Sequence, residues 1–418
     1  MAGLRSFGGV GRALQDRNYR RYWFGLAAST VGFWMFRVGL GWLTWELTKS
    51  PTWLGVMAFA SLIPILIFGP IAGALADRVG HKRVAMVSMV FACANALAMA
   101  YLIYADLMTI YVLFATATLQ GSIVAFDFPA RQAMISEMVD RTILPAAVAF
   151  NMSTFHVGSF IGPLVGGYVV TNAGISTSFL IYALTIIWFF VALLFVRVRR
   201  ELQPTPADGA PRSSLFNDIA VALRYLVDHP ALKWLVLLHI CGAFLLRPYM
   251  ELLPGYADVI FNRSVDGLSL LIAASGLGAF TGSFLLAMRG KTKGLTNLFL
   301  IGVGLASISL IAFASTSDFL IGQICLFFGA MTLVGGAVCS HSLIQHTVDP
   351  AFRGRVISLT MSMGVGSMAT GSLALGLLAE HIGLRWPIIG GAVVVLCVLV
   401  FMVKPIRAQA ANLESAIS

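Results

Sequence analysis

Apolar stretches of about 20 residues, the length that an α-helix needs to cross a bilayer, recur from one end of the chain to the other. The chain is 58% hydrophobic and 11% charged, whereas globular domains contain roughly 25% charged residues. These features exclude a soluble globular protein. They predict an all-α membrane protein whose solvent is lipid.

We predict twelve transmembrane helices in two sets of six. The first six lie near residues 22–47, 52–76, 83–105, 108–129, 145–170 and 175–197. The second six lie near residues 233–256, 268–288, 294–315, 318–345, 354–381 and 386–404. The N-terminal segment is arginine-rich but lacks a short apolar core with a small-residue cleavage site, so we expect the first apolar run to be a retained helix.

The orientation follows from Lys and Arg, which accumulate in cytoplasmic loops. With twelve spans both termini lie on one side, and 23 of the 28 Lys and Arg residues fall on that side. We therefore expect cytoplasmic termini and a location in the inner (plasma) membrane. A basic rim facing anionic lipid accounts for the net charge of +10, so membrane lipid is the predicted partner and nucleic acid is not.

The longest interruption, residues 198–232, contains Pro204, Pro206, Gly209 and Pro211 and cannot bury a core. Its second part has a helical apolar spacing that is typical of an amphipathic helix on the cytoplasmic surface, although a partner-binding role is an alternative. We therefore divide the chain into an N-terminal bundle (1–197), a cytoplasmic linker with an amphipathic helix (198–232), and a C-terminal bundle with a tail (233–418).

Matching residues at an offset of 209 or 210 indicate an internal duplication. Together with the equal helix counts, they predict two pseudo-symmetric six-helix bundles with a substrate path between them. The matched pairs are Val139-Asp140 with Val348-Asp349, Gly162 with Gly371, Gly167 with Gly376, Gly80 with Gly290, and Arg37 with Arg247.

The sharpest local motif follows the second span, over residues 73–83. A small residue at its start allows close helix contact, a following acid ends the span, and a glycine permits a tight turn. The basic residues hold the loop at the cytoplasmic face, and a stop-transfer signal would need only these. The motif residues are Gly73, Asp77, Arg78, Gly80, Lys82 and Arg83.

This motif resembles the loop signature of the major facilitator superfamily, with His81 where a second basic residue is more usual. The resemblance covers the whole chain, because the helix count, duplication and central linker also agree. It implies a transporter that works by alternating access. It also implies that Asp77 docks on the start of the eleventh span, near Arg353 and Arg355. The second-half copy of the loop has no acid at the matching position, so the implied lock is one-sided.

A second motif lies in the fifth span and resembles the glycine-proline motif of the exporter branches of that superfamily. It consists of Gly158, Gly162, Pro163, Gly166 and Gly167. Small-residue packing explains the glycines equally well, and Pro163 is expected to bend the helix. The segments around Asp127 and Arg131 and around Arg353 and Arg355 resemble the subgroup of siderophore exporters and macrolide efflux pumps.

Charged residues inside spans are costly and therefore mark functional candidates. Arg37 in the first span and Arg247 in the seventh would lie on opposite walls of one cavity, which favours an anionic substrate. The alternative is a structural ion pair. Arg247 has Glu251 four residues along, a spacing suited to pairing, while Arg37 remains open between substrate contact and interhelical pairing.

Proton coupling requires a group whose ionisation changes as the cavity opens to each side. We predict Glu251 as the proton carrier. Asp127, beside Arg131, is equally consistent with a gating ion pair, and His156 in the fifth span with either titration or a structural hydrogen bond.

The chain has no P-loop, nucleophile elbow or His and acid cluster with metal spacing, so we predict no enzyme, metal or cofactor. The expected function is secondary active export of a siderophore-like anion or an amphipathic drug or antibiotic, by alternating access and proton antiport, by a monomer. The alternatives are an uptake carrier for a small organic solute and a non-transporting scaffold or receptor.

Overall fold

A computed structural model describes residues 8–198 and 215–414. All regular secondary structure in these ranges is helical. The first range contains α1 (Gly8–Gln15), α2 (Arg17–Thr48), α3 (Pro51–Val79), α4 (His81–Tyr104), α5 (Ile110–Met138), α6 (Leu144–Ala173) and α7 (Ile175–Leu194). The second contains α8 (Leu215–Asp228), α9 (Pro230–Leu245), α10 (Tyr249–Gly255), a π-helix (Tyr256–Ile260), α11 (Val265–Arg289), α12 (Leu295–Ser315), α13 (Phe319–Thr347), α14 (Arg353–Ile382), α15 (Arg385–Ala408) and α16 (Ala410–Glu414).

Within the described ranges, twelve helical segments are long and apolar enough to cross a membrane. They are α2 to α7, the segment Pro230–Ile260, and α11 to α15. The predicted twelve-span, all-α architecture is confirmed. Residues 199–214, which include most of the predicted linker's Pro and Gly, lie outside the described residues.

Two spans differ from the sequence prediction. The fourth was expected to end at 129, but α5 continues through Pro129 to Met138. A proline is tolerated inside a membrane helix because neighbouring groups satisfy the carbonyl that it leaves free. The seventh was expected to be one helix but is broken after Leu245 and ends in a π-helix.

The helices group into two compact units, and the chain is divided between them at other places besides the predicted linker. Unit 1 comprises 1–49, 60–206 and 262–273, and unit 2 comprises 50–59, 207–261 and 274–418. Because α3 and α11 each contribute residues to both units, the three-part division of the chain made from sequence stays a prediction. In unit 1, α2 packs on α6 and α7, and α4 packs on α5 and α7. In unit 2, α12 packs on α13 and α15, and α9 packs on α14 and α15.

The amphipathic helix predicted in the linker corresponds to α8. Ala222 and Leu226 are buried, whereas Ile219 and Leu223 on another face are exposed. The Tyr225 ring stacks on Phe352 with centroids 4.9 Å apart, which docks α8 beside the start of α14. Burial raises the pKa of the Tyr225 hydroxyl. The placement of α8 on the cytoplasmic surface stays a prediction.

The first turn of α3 is capped from within unit 2. The Glu380 carboxylate of α14 accepts hydrogen bonds from the Ser50 hydroxyl at 2.7 Å and the Thr52 N–H at 3.1 Å. A Cβ on Gly55 would lie 2.5 Å from the Ser372 carbonyl oxygen. The start of α3 therefore packs directly on the backbone of α14.

Candidate functional site

The break in the seventh span positions Arg247. Pro248 has no N–H to donate to the Phe244 carbonyl, and its ring clashes with that carbonyl in a continuous helix. The N–H groups of Leu246 and Arg247 both bond to the Gly242 carbonyl, at 2.9 and 3.3 Å, and α10 begins only at Tyr249. Arg247 therefore lies in a non-helical turn deep within a span, a feature of binding sites in transporters.

The surroundings of Arg247 suit a charged ligand. Arg247 is exposed at the surface of the folded chain. A charged group in mid-span is tolerated where it lines a water-filled cavity. The half-buried His239 of α9 lies within electrostatic range of both Arg247 and His341 of α13. These groups place one arginine and two histidines near one another in unit 2.

Glu251, the partner predicted for Arg247, follows it by four residues. Glu251 is half-buried in the first turn of α10. The interactions described for Arg247 are electrostatic, with Tyr249 and with His239. The pairing of Arg247 with Glu251 stays a prediction.

The first span carries Arg37 in a different setting. Its helix, α2, is continuous for 32 residues, and Arg37 is half-buried within it. His156 is half-buried in α6, where its ring meets Phe155 and its carbonyl accepts a 2.7 Å bond from Ser159. The roles predicted for Arg37 and His156 stay predictions.

Asp127 and Arg131 form a two-bond ion pair on α5. The Arg131 Nη2 lies 2.6 Å from Oδ2 of Asp127, and Nε lies 2.7 Å from Oδ1. Their side chains are only 15% and 17% exposed. The guanidinium also lies 4.6 Å from the Phe189 ring centroid and reaches the Ser29 hydroxyl at 3.4 Å. The pair therefore joins α5 to α7 and α2 inside unit 1.

The signature loop between α3 and α4 is a tight turn at Gly80, whose φ of +101° favours glycine, as predicted. The close helix approach predicted at Gly73 is absent, because a Cβ there would meet no atom within 4 Å. Asp77 is 76% exposed and lies 3.3 Å from Nε2 of His81. Nδ1 of His81 lies 2.7 Å from the buried Glu137 carboxylate of α5.

The basic residues of the signature loop differ in what they contact. Lys82 donates to the Val196 carbonyl at 2.7 Å just beyond α7, where a cation complements the helix dipole. Arg78 and Arg83 are exposed, and so are Arg353 and Arg355 at the start of α14. The docking of Asp77 near Arg353 and Arg355 stays a prediction.

The fifth-span glycines seat α6 on α2. Cβ atoms on Gly158 and Gly162 would lie 2.5 Å from Thr30 and Trp34 side-chain atoms, and one on Gly166 would lie 3.1 Å from the Met35 Cα. A Cβ on Gly167 would instead clash with the Ser269 hydroxyl of α11, while Pro163 is buried inside the helix. Close packing is therefore a sufficient reason for these glycines.

The same glycine contact recurs in the second half. A Cβ on Gly371 of α14 would lie 2.0 Å from the Phe244 carbonyl oxygen of α9. Phe244 matches Trp34 at the offset of 210, and Gly371 matches Gly162 at 209. The duplication therefore extends to individual helix contacts.

The described residues contain no group of three or more His, Cys, Asp or Glu side chains that could bind a metal ion.

The sequence matches a known family, described as transmembrane secretion effector, over residues 12–417. The chain belongs to this family. Membership makes it a membrane transporter of an export family within the major facilitator superfamily, and not an enzyme, as the sequence predicts.

Curated relatives match over most of their lengths. The staphyloferrin A transporter of Staphylococcus aureus is 24% identical over 360 residues, which cover 85% of this chain and 87% of the relative. The enterobactin exporter EntS of Citrobacter koseri is 26% identical over 341 residues, covering 80% of this chain and 76% of the relative.

Solved structures show the same fold. A D-xylose-proton symporter superposes with a TM-score of 0.72 at 16% identity, covering 92% of this chain and 98% of the other. A POT family transporter in complex with 5-aminolevulinic acid gives a TM-score of 0.75 at 13% identity, covering 94% and 96%. These comparisons confirm the predicted superfamily fold.

Three groups at these sites were missed by the sequence reasoning. His239 and His341 are single histidines in apolar spans, and nothing in their local sequence links them to Arg247. Glu137 lies beyond the predicted end of the fourth span near residue 129, whereas α5 continues to Met138. The prolines at 248 and 254 were the available signal for the broken seventh span.

Proposed function

We propose that the protein exports a siderophore-like anion across the inner membrane by alternating access, in exchange for protons. The observation that carries the proposal is Arg247, an accessible cation at a helix break in the middle of a membrane span. The half-buried histidines His239 and His341 add donors on the same unit. Such a group favours a substrate with several anionic oxygens over a neutral or cationic drug.

The names of the relatives point in the same direction. One transports staphyloferrin A and the other exports enterobactin. Molecules that chelate ferric iron present multiple anionic oxygen donors, which an Arg guanidinium and the N–H groups of two neutral His side chains can bind. Arg37, at the position matching Arg247, is proposed as the second substrate cation, and His156 as a polar group of the same path.

Glu251 is the proposed proton carrier. It is half-buried one turn beyond the helix break, so its environment changes with any rearrangement of that turn. Protonation of Glu251 from outside would favour substrate release there, and deprotonation inside would reset the site. Glu251→Gln should abolish pH-gradient-driven transport in reconstituted vesicles while leaving substrate binding. Gradient-driven transport that survives this substitution would rule Glu251 out.

The remaining elements support a gated monomer with cytoplasmic termini. The loop acid Asp77, which is exposed at the end of α3, is proposed to dock near Arg353 and Arg355 when the cytoplasmic side closes. The Asp127–Arg131 pair is proposed to hold α5 in register during that motion. By the positive-inside rule, the basic residues on the side of the termini are proposed to hold that side in the cytoplasm.

Flux into inside-out vesicles tests the proposal. Labelled enterobactin, staphyloferrin A and a macrolide are offered with and without an imposed proton gradient, to wild type, Arg247→Gln and Arg224→Gln. Arg224 is 86% exposed in an ion pair on α8, so its substitution controls for the loss of a positive charge.

We expect gradient-dependent accumulation of a siderophore that fails only in Arg247→Gln. Accumulation of the macrolide regardless of Arg247 would make the protein a drug pump. Accumulation in right-side-out vesicles alone would make it an uptake carrier, and no flux of any compound would support the scaffold reading.

A further inference from the structure

We propose that a groove between α2 and α7 binds one acidic phospholipid, with its phosphate on Arg21 and its acyl chains against Phe24 and Trp188. The groove has a volume of about 260 Å³ and lies where α2 begins and α7 ends, on the side of the membrane predicted to be cytoplasmic. It is lined by Arg21, Phe24, Trp188, Ala192 and Phe195. The site concerns lipid and is independent of the transport proposed above.

The α2 side of the groove changes from basic to apolar along one helix face. Arg17, Arg21 and Phe24 follow one another at intervals of four and three residues, which places them on the same face. All three residues are exposed. A phospholipid has its parts in the same order, an anionic headgroup followed by acyl chains. The α2 face and the lipid therefore complement each other in charge and in depth.

The α7 side of the groove is apolar. Trp188, Ala192 and Phe195 have the same spacing of four and three residues, and the two aromatic side chains are 60% and 62% exposed. The small Ala192 side chain between them leaves room for a ligand. Trp188 lies seven residues before Phe195, or about 10 Å deeper in the membrane. This depth suits the boundary between headgroups and hydrocarbon, where Trp is enriched.

The helices that form the groove are tightly packed behind it. A Cβ added to Gly25, the residue after Phe24, would lie 3.1 Å from the Ala192 Cβ and would clash with the Phe189 ring. The floor of the groove is therefore a close contact of α2 with α7 inside unit 1.

The end of α7 holds Arg21 at the mouth of the groove. The last carbonyl groups of a helix have no partner within it and carry a partial negative charge. Nη1 of Arg21 donates to the Phe195 carbonyl at 3.0 Å, and Lys82 donates to the next carbonyl, that of Val196, at 2.7 Å. The bond described for Arg21 uses one of the five N–H groups of a guanidinium, and two others are enough to bind a phosphate.

The surroundings of the mouth are mainly positive. Arg20 and Arg197 are exposed beside it, and the Arg197 N–H donates to the Asn18 side chain at 3.2 Å, which joins the two helix ends. Asp16, an acid at this end, caps α2 by accepting from the N–H groups of Asn18 and Tyr19. Clustered cations at the membrane surface favour an anionic lipid over a zwitterionic one.

Native mass spectrometry of the full chain in detergent micelles tests the site by counting retained lipids. Wild type, Arg21→Gln and Trp188→Ala are titrated with phosphatidylglycerol or with phosphatidylcholine of the same acyl chains. Arg224→Gln and Trp386→Ala are the matched controls. Arg224 is 86% exposed on α8, and Trp386 is 64% exposed at the start of α15.

We expect wild type to bind one phosphatidylglycerol molecule severalfold more tightly than phosphatidylcholine. Arg21→Gln should weaken that binding about fivefold, the factor that one Arg contributes beside an anionic lipid. Trp188→Ala should weaken it too, because the acyl chains lose an apolar contact. Both control variants should bind as wild type does.

Equal binding of the two lipids by wild type, or unchanged binding in Arg21→Gln, would overturn the proposal. Equal losses in Arg21→Gln and Arg224→Gln would overturn it as well, because they would show a general effect of charge. Displacement of the lipid by an equal concentration of glycerol phosphate would mean that the groove binds phosphate alone. A dimer that forms without lipid and dissociates in Trp188→Ala would mean that a second copy fills it. If Arg21→Gln is not monodisperse, Arg17→Gln on the same helix face should show the loss, and unchanged binding there would overturn the proposal.

Discussion

The first and seventh spans begin alike and then diverge. Trp34 and Phe244, at matching positions, each pack against a glycine, Gly162 and Gly371 respectively. Three residues later each span has an arginine. Beyond it α2 continues through the buried Val38, whereas the seventh span has Pro248 at the matching position and breaks.

We infer that this difference gives the two halves of the duplicated scaffold different roles. The glycine contacts hold both helices to their neighbours in the same way. A single proline then turns one of two equivalent arginines out of a regular helix and into an accessible turn. We therefore expect Arg247 to act mainly on substrate, and Arg37 to contribute more to the stability of unit 1.

The largest expected effect on transport comes from substituting the two arginines. Arg247→Gln should weaken siderophore transport about 10- to 100-fold, because it removes a charge-assisted hydrogen bond worth roughly 1.5–3 kcal/mol. Arg37→Gln should cost less. Initial flux rates in reconstituted vesicles measure both. Equal losses in the two variants would show that the helix break makes no functional difference.

Removing the proline at the helix break should lower transport without lowering the thermal stability of the protein. Pro248→Ala lets the seventh span continue as α2 does, so transport should fall by about tenfold as Arg247 is drawn back into a helix. The melting temperature should hold or rise, since an interior proline costs a helix roughly 3 kcal/mol. Full activity in a thermostable Pro248→Ala protein would contradict the role assigned to the turn.

The matching glycines should behave alike. Gly162→Ala and Gly371→Ala each place a Cβ at 2.5 Å or less from the facing helix, and should destabilise the protein by about 1–3 kcal/mol. Thermal unfolding in detergent measures this. Gly73→Ala, with no atom within 4 Å of the new Cβ, is the control and should be neutral. A tolerated Gly371→Ala would mean that the two contacts are not equivalent.

The smallest effect concerns the second-half loop, where the C-terminal tail supplies an acid. The Glu414 carboxylate of α16 accepts from the Gly294 and Thr296 N–H groups, at 2.5 and 3.0 Å, at the start of α12. Glu414→Gln should cost about 1 kcal/mol, as loss of a helix cap does. Glu46→Gln, which alters an exposed acid on α2, is the control.

The pH dependence of this cap has a definite sign. Burial opposes ionisation of Glu414, but the two N–H donors and Arg289 outweigh it and lower its pKa. The stabilisation is therefore present at neutral pH and is lost as the pH falls below the ordinary glutamate range, near 4.3. A difference between wild type and Glu414→Gln that grows on acidification would contradict this assignment.

Much of the fold could be predicted because hydrophobic length and charge asymmetry are local signals. The twelve spans, the turn at Gly80 and the match between Gly162 and Gly371 follow from residues read in order. The second-half loop has no acid at the position matching Asp77, as predicted. The acid that does contact this loop, Glu414, could not be predicted because it lies 120 residues further along the chain than Gly294.

The sequence reasoning was wrong about two helices that contain prolines, the fourth and seventh spans. The fourth span was predicted to end near residue 129, yet α5 runs through Pro129 and places Glu137 beside His81. The seventh span was predicted to be continuous over 233–256, yet it is interrupted at Pro248. Whether a proline bends, breaks or is absorbed depends on which neighbours satisfy the freed carbonyl, and these are set by tertiary packing.

Binding by the purified protein in nanodiscs tests the central claim most directly, because it separates substrate recognition from coupling. Dissociation constants for enterobactin and staphyloferrin A are compared among wild type, Arg247→Gln, Arg37→Gln and Arg224→Gln. We predict that at least one siderophore binds wild type and Arg224→Gln equally, and binds Arg247→Gln about 10- to 100-fold more weakly, with a smaller loss for Arg37→Gln. Unchanged affinity in Arg247→Gln would contradict the assignment of the broken seventh span as the anion site.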